Sequence, residues 1–209
     1  MAKLLHLMAS PRGDRSRSLA VAAAFIEAYD DAHPNDDIDT LDMSSLELPP
    51  FDGPALDAKY AILHGDEPSG EQAKAWKAVE DAIEEFKSAD KYVLSVPMWN
   101  FGIPYTLKHY IDVITQPTYL FNYSPEEGYT GLVTGKPALI TAARGGAYPE
   151  GSDMEAFDYQ LPYVKTWLQF IGFTDIRSLV VEPTLMDPDK AEERKAEAIE
   201  KARELAKGF

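Results

Sequence analysis

The chain has 209 residues, 45% of them hydrophobic and 26% charged, which suits one compact domain over residues 1–209 that buries its own core. Lys and Arg total 20 against 35 Asp and Glu, a formal charge of -15, so no general attraction to nucleic acid or to an anionic membrane is expected. With no cysteine and only His6, His33, His64 and His109, none at metal-ligand spacing, the chain lacks disulfides, thiolate metal sites and a Cys nucleophile, and no metal is expected.

Residues 3–8 are a short apolar run, read as a strand. A polar segment, 10–17, follows, and then Leu19, Ala22, Ala23, Ile26 and Tyr29 recur at helical spacing. Residues 37–43 read as an outer strand, and the proline-rich stretch around Pro49, Pro50 and Pro54 as an irregular loop. Ala73, Trp76, Val79, Ile83 and Phe86 step by three and four through an acidic segment, the pattern of an amphipathic surface helix. Residues 91–96 form the next strand. Pro104 then stands in the first turn of a helix carrying Leu107, Tyr110, Ile111 and Ile114, with His109 off that stripe and read as solvated. Residues 116–136 make a long loop, and such loops are usually functional or mobile. Residues 137–143 repeat the strand signal. A helix with Val164, Leu168 and Ile171 starts or kinks at Pro162, residues 176–182 form the last strand, and Asp187-Pro188 caps a closing Glu/Lys-rich helix.

Five strands alternating with five helices imply an α/β fold, a doubly wound five-stranded parallel sheet with helices on both faces. The longest apolar run, residues 19–26, is far short of the ~20 residues of a membrane span, and residues 4–8 are too short for a signal-peptide core. A cytoplasmic protein is the expectation.

Ligands of open α/β sheets bind beyond the carboxyl ends of the strands. After the first strand, residues 10–18 supply the hydroxyls of Ser10, Ser16 and Ser18 and the guanidiniums of Arg12, Arg15 and Arg17 where a helix begins. This is either an anion site or a capped, solvated loop. With neither a G-x-x-x-x-G-K-[ST] loop nor a G-x-G-x-x-G turn, a terminal monophosphate fits better than a triphosphate or a pyrophosphate. No G-x-S-x-G nucleophile elbow is present, and Ser10 and Pro97 stand where a phospho-receiver domain needs carboxylates. After the third strand, Pro97, Met98, Trp99, Asn100 and Phe101 offer flat side chains and an amide on a proline-stiffened loop, either a platform for a planar heteroaromatic ligand or a hydrophobic turn. After the fourth, Arg144, Gly145 and Gly146 bare the backbone or simply make a tight bend.

Together Ser10 with Ser16-Arg17-Ser18, the run from Pro97 to Phe101, Ala143-Arg144-Gly145-Gly146, and residues 131–136 resemble the flavin-binding segments of the FMN-dependent NADH azoreductases, within the flavodoxin-like quinone reductases. The chain departs from that pattern at Trp99, where many members carry Tyr, and at Ala143, where many carry Ser. The resemblance implies a flavodoxin-like fold and a noncovalent FMN whose phosphate is held by Ser10, Ser16, Arg17 and Ser18. Pro97 to Phe101 and Arg144 to Gly146 would border the isoalloxazine, and Phe121 and Tyr123 in the long loop either shape the substrate pocket or pack beneath the loop. It further implies a homodimer with active sites at the subunit interface. Hydride would pass from NADH or NADPH to a quinone or azo acceptor by a ping-pong mechanism, with no side chain as acid or base; a flavodoxin-like FMN electron carrier is the main alternative, and a non-catalytic interaction domain the second. On this reading Ser18 stands at the helix start, and Ser18→Asp is expected to expel FMN while sparing the helix.

Overall fold

The computed structural model describes residues 1–185 and 187–209. In chain order the elements are β1 (Lys3–Met8), α1 (Arg17–Ala32), β2 (Asp37–Asp42), α2 (Gly53–His64), α3 (Glu71–Lys87), β3 (Lys91–Pro97), α4 (Tyr105–Ile114), β4 (Phe121–Ser124), β5 (Gly128–Gly131), β6 (Ala138–Ala143), α5 (Leu161–Ile171), β7 (Ile176–Val181) and α6 (Pro188–Ala206). Five strands form a parallel sheet in the order β2-β1-β3-β6-β7, and β4 and β5 form a separate antiparallel pair. The strand order reverses between β1 and β3, and the loops that leave their carboxyl ends lead to helices on opposite faces, the place where such sheets take ligands.

The central strands are apolar on both faces, as burial between two helical layers requires. Along β1, Leu5 and Leu7 enter a core under α3, α4 and α5, while Leu4 enters a second core with α1 and α6. The same alternation separates Leu94 from Val93 and Ile140 from Leu139. On the α1 face this apolar pattern is broken by His6, Ser95 and Thr141, all buried. His6 Nε2 lies 2.9 Å from Ser95 Oγ, and Thr141 Oγ1 donates to the Ser18 carbonyl at 3.0 Å, which seats the start of α1 over the switch point.

Burial lowers the His6 pKa to about 4. The unfolded chain takes up this proton near pH 6.5, and the folded chain does not until about 4. This contribution to stability is therefore complete above 6.5 and drains away as pH falls to about 4, a loss of up to about 3 kcal/mol. Urea unfolding at pH 7 and pH 4.5 is expected to show it. In His6→Gln, which keeps a polar partner for Ser95, this share of the acid sensitivity should vanish; an unchanged pH dependence would place the acid-labile group elsewhere.

Two elements differ from expectation. The proline-rich region is not all irregular, because residues 53–64 form a helix, α2, with Pro54 in its first turn, where a missing N–H is harmless, and Gly65 closing it at φ 86°. Only Ala55 and Ala58 of α2 are buried, too thin a stripe to stand out in the sequence. The long 116–136 segment is in part ordered as the β4–β5 hairpin, in which Phe121 faces Gly131 and Tyr123 faces Tyr129. Pro104 is the N-cap of α4 and not its first helical residue. His109 is half-buried, and its Nε2 donates to the Pro49 carbonyl at 3.1 Å, tying α4 to the loop after β2.

Candidate functional site

Loops after β1, β3, β6 and β7 enclose a cavity of about 220 Å³ at the switch point. Ser10, Arg12, Ser16 and Arg17 line it from the β1 loop; Pro97, Met98 and Trp99 form one wall, and Ala143, Arg144, Gly145, Thr184 and Leu185 the other. Larger grooves of about 420 and 600 Å³ lie between helices, away from these strand ends. Size does not select the site; chemistry does, because only the smaller cavity gathers hydroxyls and a guanidinium at a helix N-terminus.

Ser16 is the N-cap of α1, its Oγ accepting from the Leu19 N–H at 3.3 Å. The N–H groups of Arg17 and Ser18 precede the first intrahelical bonds and carry the positive end of the helix dipole. Beside them the Ser10 hydroxyl and the Arg17 Nε are buried without a partner. Two orphaned donors are costly unless something accepts from them. Among the described residues, the outer end of Arg17 pairs only with the exposed Glu192, at 3.4 Å. An anionic group with several oxygens fits this cradle.

Ser18 lies inside the helix and is fully buried. Its hydroxyl is 3.2 Å from that of Ser16, the N-cap residue that lines the cavity. In Ser18→Asp the new carboxylate would start from a fully buried position beside the Ser16 hydroxyl, so a cost to the fold is expected beside any loss of ligand.

The wall after β3 is a two-residue turn. Trp99 and Gly102 exchange both backbone hydrogen bonds, at 2.9 and 3.0 Å, around Asn100 and Phe101. Both central residues are left-handed, with φ of 47° and 72°, as a type I′ turn demands. Asn tolerates this; a bulky Phe is strained by roughly 1–2 kcal/mol. The Trp99 indole is partly exposed at the mouth of the cavity, while Asn100 and Phe101 are exposed beyond its lining.

On the opposite wall, the Arg144 guanidinium is paired through Nη1 with two carboxylates of the protein. Its Nη1 lies 2.7 Å from Asp158 and 3.5 Å from Glu182, and the side chain is buried. Arg144 therefore borders the cavity with Nη1 matched by two carboxylates, while its Nε is buried without a partner among the described residues. A Cβ on Gly146 would make ordinary 3.5 Å contact with Tyr148, and among the described residues one on Gly145 would meet only the movable end of the exposed Leu185 side chain. Neither glycine is dictated by the chain's own packing, and both leave backbone open to a ligand.

Phe121 and Tyr123 are not part of this cavity. Phe121 packs tilted against Phe170, ring centroids 4.7 Å apart, near the C-terminal end of α5, whereas Gln160, just ahead of α5, reaches the Val96 carbonyl at the cavity end of β3. The eleven residues of α5 separate the two ends by about 16 Å. Thr184 and Leu185 line the cavity although the sequence reading passed them over. They follow the last strand of the same sheet edge, and the rule that drew attention to the other three loops applies to them equally.

The fold and cradle define a doubly wound α/β protein with an anion-binding crevice at its switch point. A family profile described as having a flavodoxin-like fold matches residues 2–206, and the chain belongs to that family. It is 51% identical over 210 residues to an FMN-dependent NADH:quinone oxidoreductase of Nitratidesulfovibrio vulgaris (strain DP4), with 100% of both chains covered. Another FMN-dependent NADH:quinone oxidoreductase, from Desulfotalea psychrophila, is 48% identical with 98% of each chain covered. The structure matches an azoreductase from Bacillus anthracis str. Sterne with a TM-score of 0.92 at 33% identity, covering all of both chains. An FMN-dependent NADH-azoreductase from Bacillus anthracis str. Ames Ancestor, in complex with FMN, matches with a TM-score of 0.87 at 30% identity, covering 99% of this chain and 100% of that one.

Proposed function

We propose that the chain is an FMN-dependent oxidoreductase that moves hydride from NADH or NADPH to quinones and azo compounds, acting as one domain over residues 1–209. The observation that carries this reading is the cradle at the head of α1, where the Ser10 hydroxyl and Arg17 Nε are buried and unpartnered. Full-length similarity to FMN-dependent NADH:quinone oxidoreductases supports the same cofactor and donor.

Ser10, Ser16 and Arg17 would hold the FMN phosphate, with Ser18 orienting the Ser16 hydroxyl. The cavity of about 220 Å³ is smaller than the roughly 300–1,000 Å³ of a typical ligand pocket, so the ring end belongs at its open mouth, beside Met98, Trp99 and Gly145. Pro97 stiffens that wall, and the backbone groups of Asn100 to Phe101 and of Arg144 to Gly146 are the hydrogen-bonding groups nearest it. Bound FMN supplies the hydride-accepting and hydride-donating centre, which no side chain here provides. The chain's own work is to hold, orient and offer preorganised N–H groups to developing charge; no side chain is assigned as acid or base.

One open mouth serves donor and acceptor in turn. Double-reciprocal plots of NADH against a quinone are expected to be parallel, the ping-pong pattern, and intersecting lines would require a ternary complex and overturn the shared mouth. Because Phe121 and Tyr123 lie at the far end of α5, they shape a substrate pocket only by reaching the mouth of a second copy. We accordingly propose a homodimer with sites at the subunit boundary; Tyr123 and Tyr129, 63% and 65% exposed, are the surface a partner would cover. Light scattering that finds an active monomer at micromolar concentration would remove this part. The net charge of -15 offers nucleic acid no surface, no helix among the described residues is long and apolar enough to cross a membrane, and a cytoplasmic location completes the reading.

The test is spectroscopic. FMN titrated into the purified protein should lose fluorescence, and NADH or NADPH added without oxygen should then bleach it. An unchanged flavin spectrum would overturn the reading; binding without bleaching would leave an electron carrier.

A further inference from the structure

Three residues just ahead of α5 hold both walls of the cavity. Asp158 divides its carboxylate: Oδ2 lies 2.7 Å from Arg144 Nη1, and Oδ1 accepts from the N–H of Gln160 at 3.0 Å and of Leu161 at 3.1 Å. Tyr159 donates its N–H to the Phe101 carbonyl at 3.0 Å. Gln160 Nε2 donates to the Val96 carbonyl at 2.9 Å, where β3 runs into the Trp99–Gly102 turn. One short segment thus contacts the strained turn, the end of its strand and the Arg144 loop.

Burial makes these contacts exacting. The Arg144 and Asp158 side chains are 3% and 9% exposed, and Glu182 lies on the guanidinium at 3.5 Å while accepting the Tyr148 N–H at 3.1 Å. A guanidinium with so little water around it has few other places to point. Phe101, at φ 72°, occupies a conformation that a bulky residue keeps only when its surroundings over-determine it, and the Tyr159 bond to its carbonyl is one such constraint.

We propose that Asp158 is a positioning residue and that segment 158–160 is a brace fixing the Trp99–Gly102 turn relative to the Arg144–Gly146 loop, so that the ring end of the crevice is set before a ligand arrives. Its consequence for catalysis rests on the flavin function proposed above; its consequence for the two loops does not.

Asp158→Asn is the discriminating variant. It keeps an oxygen to cap α5, and Glu182 still faces Arg144, so the chain is expected to fold. The amide cannot both cap the helix and accept from the guanidinium, and the brace loosens. Glu182→Gln is the matched control, removing one charge from the same cation without touching segment 158–160.

In the apo-protein, amide exchange at Trp99 and Gly102 is expected to be at least about tenfold faster in Asp158→Asn and unchanged in Glu182→Gln, the behaviour of a local opening. With FMN bound, Asp158→Asn should lower kcat by roughly ten- to a hundredfold, with a smaller change in KM and a displaced flavin midpoint potential. Asp158→Glu should recover part of the loss. Gln160→Met breaks the Val96 link with no change of charge and should shift apo exchange in the same direction, which keeps the test alive if Asp158→Asn fails to fold. Parental exchange in both brace variants, or equal effects of Asp158→Asn and Glu182→Gln, would overturn the proposal. If the parent protein fails to take FMN, the flavin function falls while apo exchange still decides the brace.

Discussion

An alanine at Gly131 is expected to pry the β4–β5 hairpin from α5. A Cβ there would lie 2.5 Å from Gly172 Cα and closer still to the Gly172 nitrogen and the Ile171 carbonyl carbon, all backbone atoms. Gly172 ends α5 at φ 116°, and the Val133 N–H bonds to the Ile171 carbonyl at 2.8 Å, so the two chains lie directly against each other. Overpacking a core costs about 1–3 kcal/mol where side chains can yield. Backbone cannot yield in that way, so a loss of roughly 3 kcal/mol or more is expected, seen as a fall in Tm of about 6–12 °C. The crevice itself is untouched, so FMN affinity measured at low temperature should stay near the parent's, whereas the proposed dimer should weaken because its aromatic surface has moved. A melt within about 2 °C of the parent would show that the two backbones separate freely.

What the sequence made legible was what periodicity and local chemistry encode. The apolar runs of β1, β3, β6 and β7 and the stripes of α3, α4 and α5 are visible because burial on one or two faces leaves a repeating pattern. The helix α2 was hidden by its own start, since Gly53 and Pro54 read as a loop and only two alanines face the core. The hairpin was hidden by its length: four residues a side with exposed Tyr123 and Tyr129 do not resemble a strand buried in a sheet.

The site divides in the same way. Ser16 and Arg17 are legible from their place ahead of a helical stripe, but the helix starts two residues sooner than the sequence suggests, with Ser16 and not Ser18 as its cap. Arg144 is legible by its position after a strand, but its pairing is not, because its partners Asp158 and Glu182 come from segments 14 and 38 residues away. No local signal announces a pairing of that kind. In the structure the Nη1 end of that charge ties the loop after β6 to the segment ahead of α5.

Reversing the charge of Arg17 is expected to have the largest effect on cofactor binding. Its Nε is buried and unpartnered in the cradle, so a bound phosphate gains a charge-assisted hydrogen bond worth roughly 1.5–3 kcal/mol. Arg17→Glu removes it and sets a carboxylate against a dianion, which adds repulsion of similar order. Affinity for FMN should fall by about a thousandfold, corresponding to roughly 4 kcal/mol. The fold should hardly notice. The only ion pair of Arg17 among the described residues is with the exposed Glu192, a type worth about 0–1 kcal/mol, and a Glu in the first turn of α1 suits the helix dipole. Two companions separate ligand contact from helix start. Ser16→Ala loses the cap on the Leu19 N–H, costs about 1 kcal/mol of stability and weakens FMN more mildly. Ser18→Asp, at a fully buried position, should lower the apo-protein melt before affinity becomes measurable. FMN fluorescence quenching beside a thermal melt of each apo-protein reads both quantities. An Arg17→Glu protein that binds FMN within about threefold of the parent would move the phosphate to another part of the molecule.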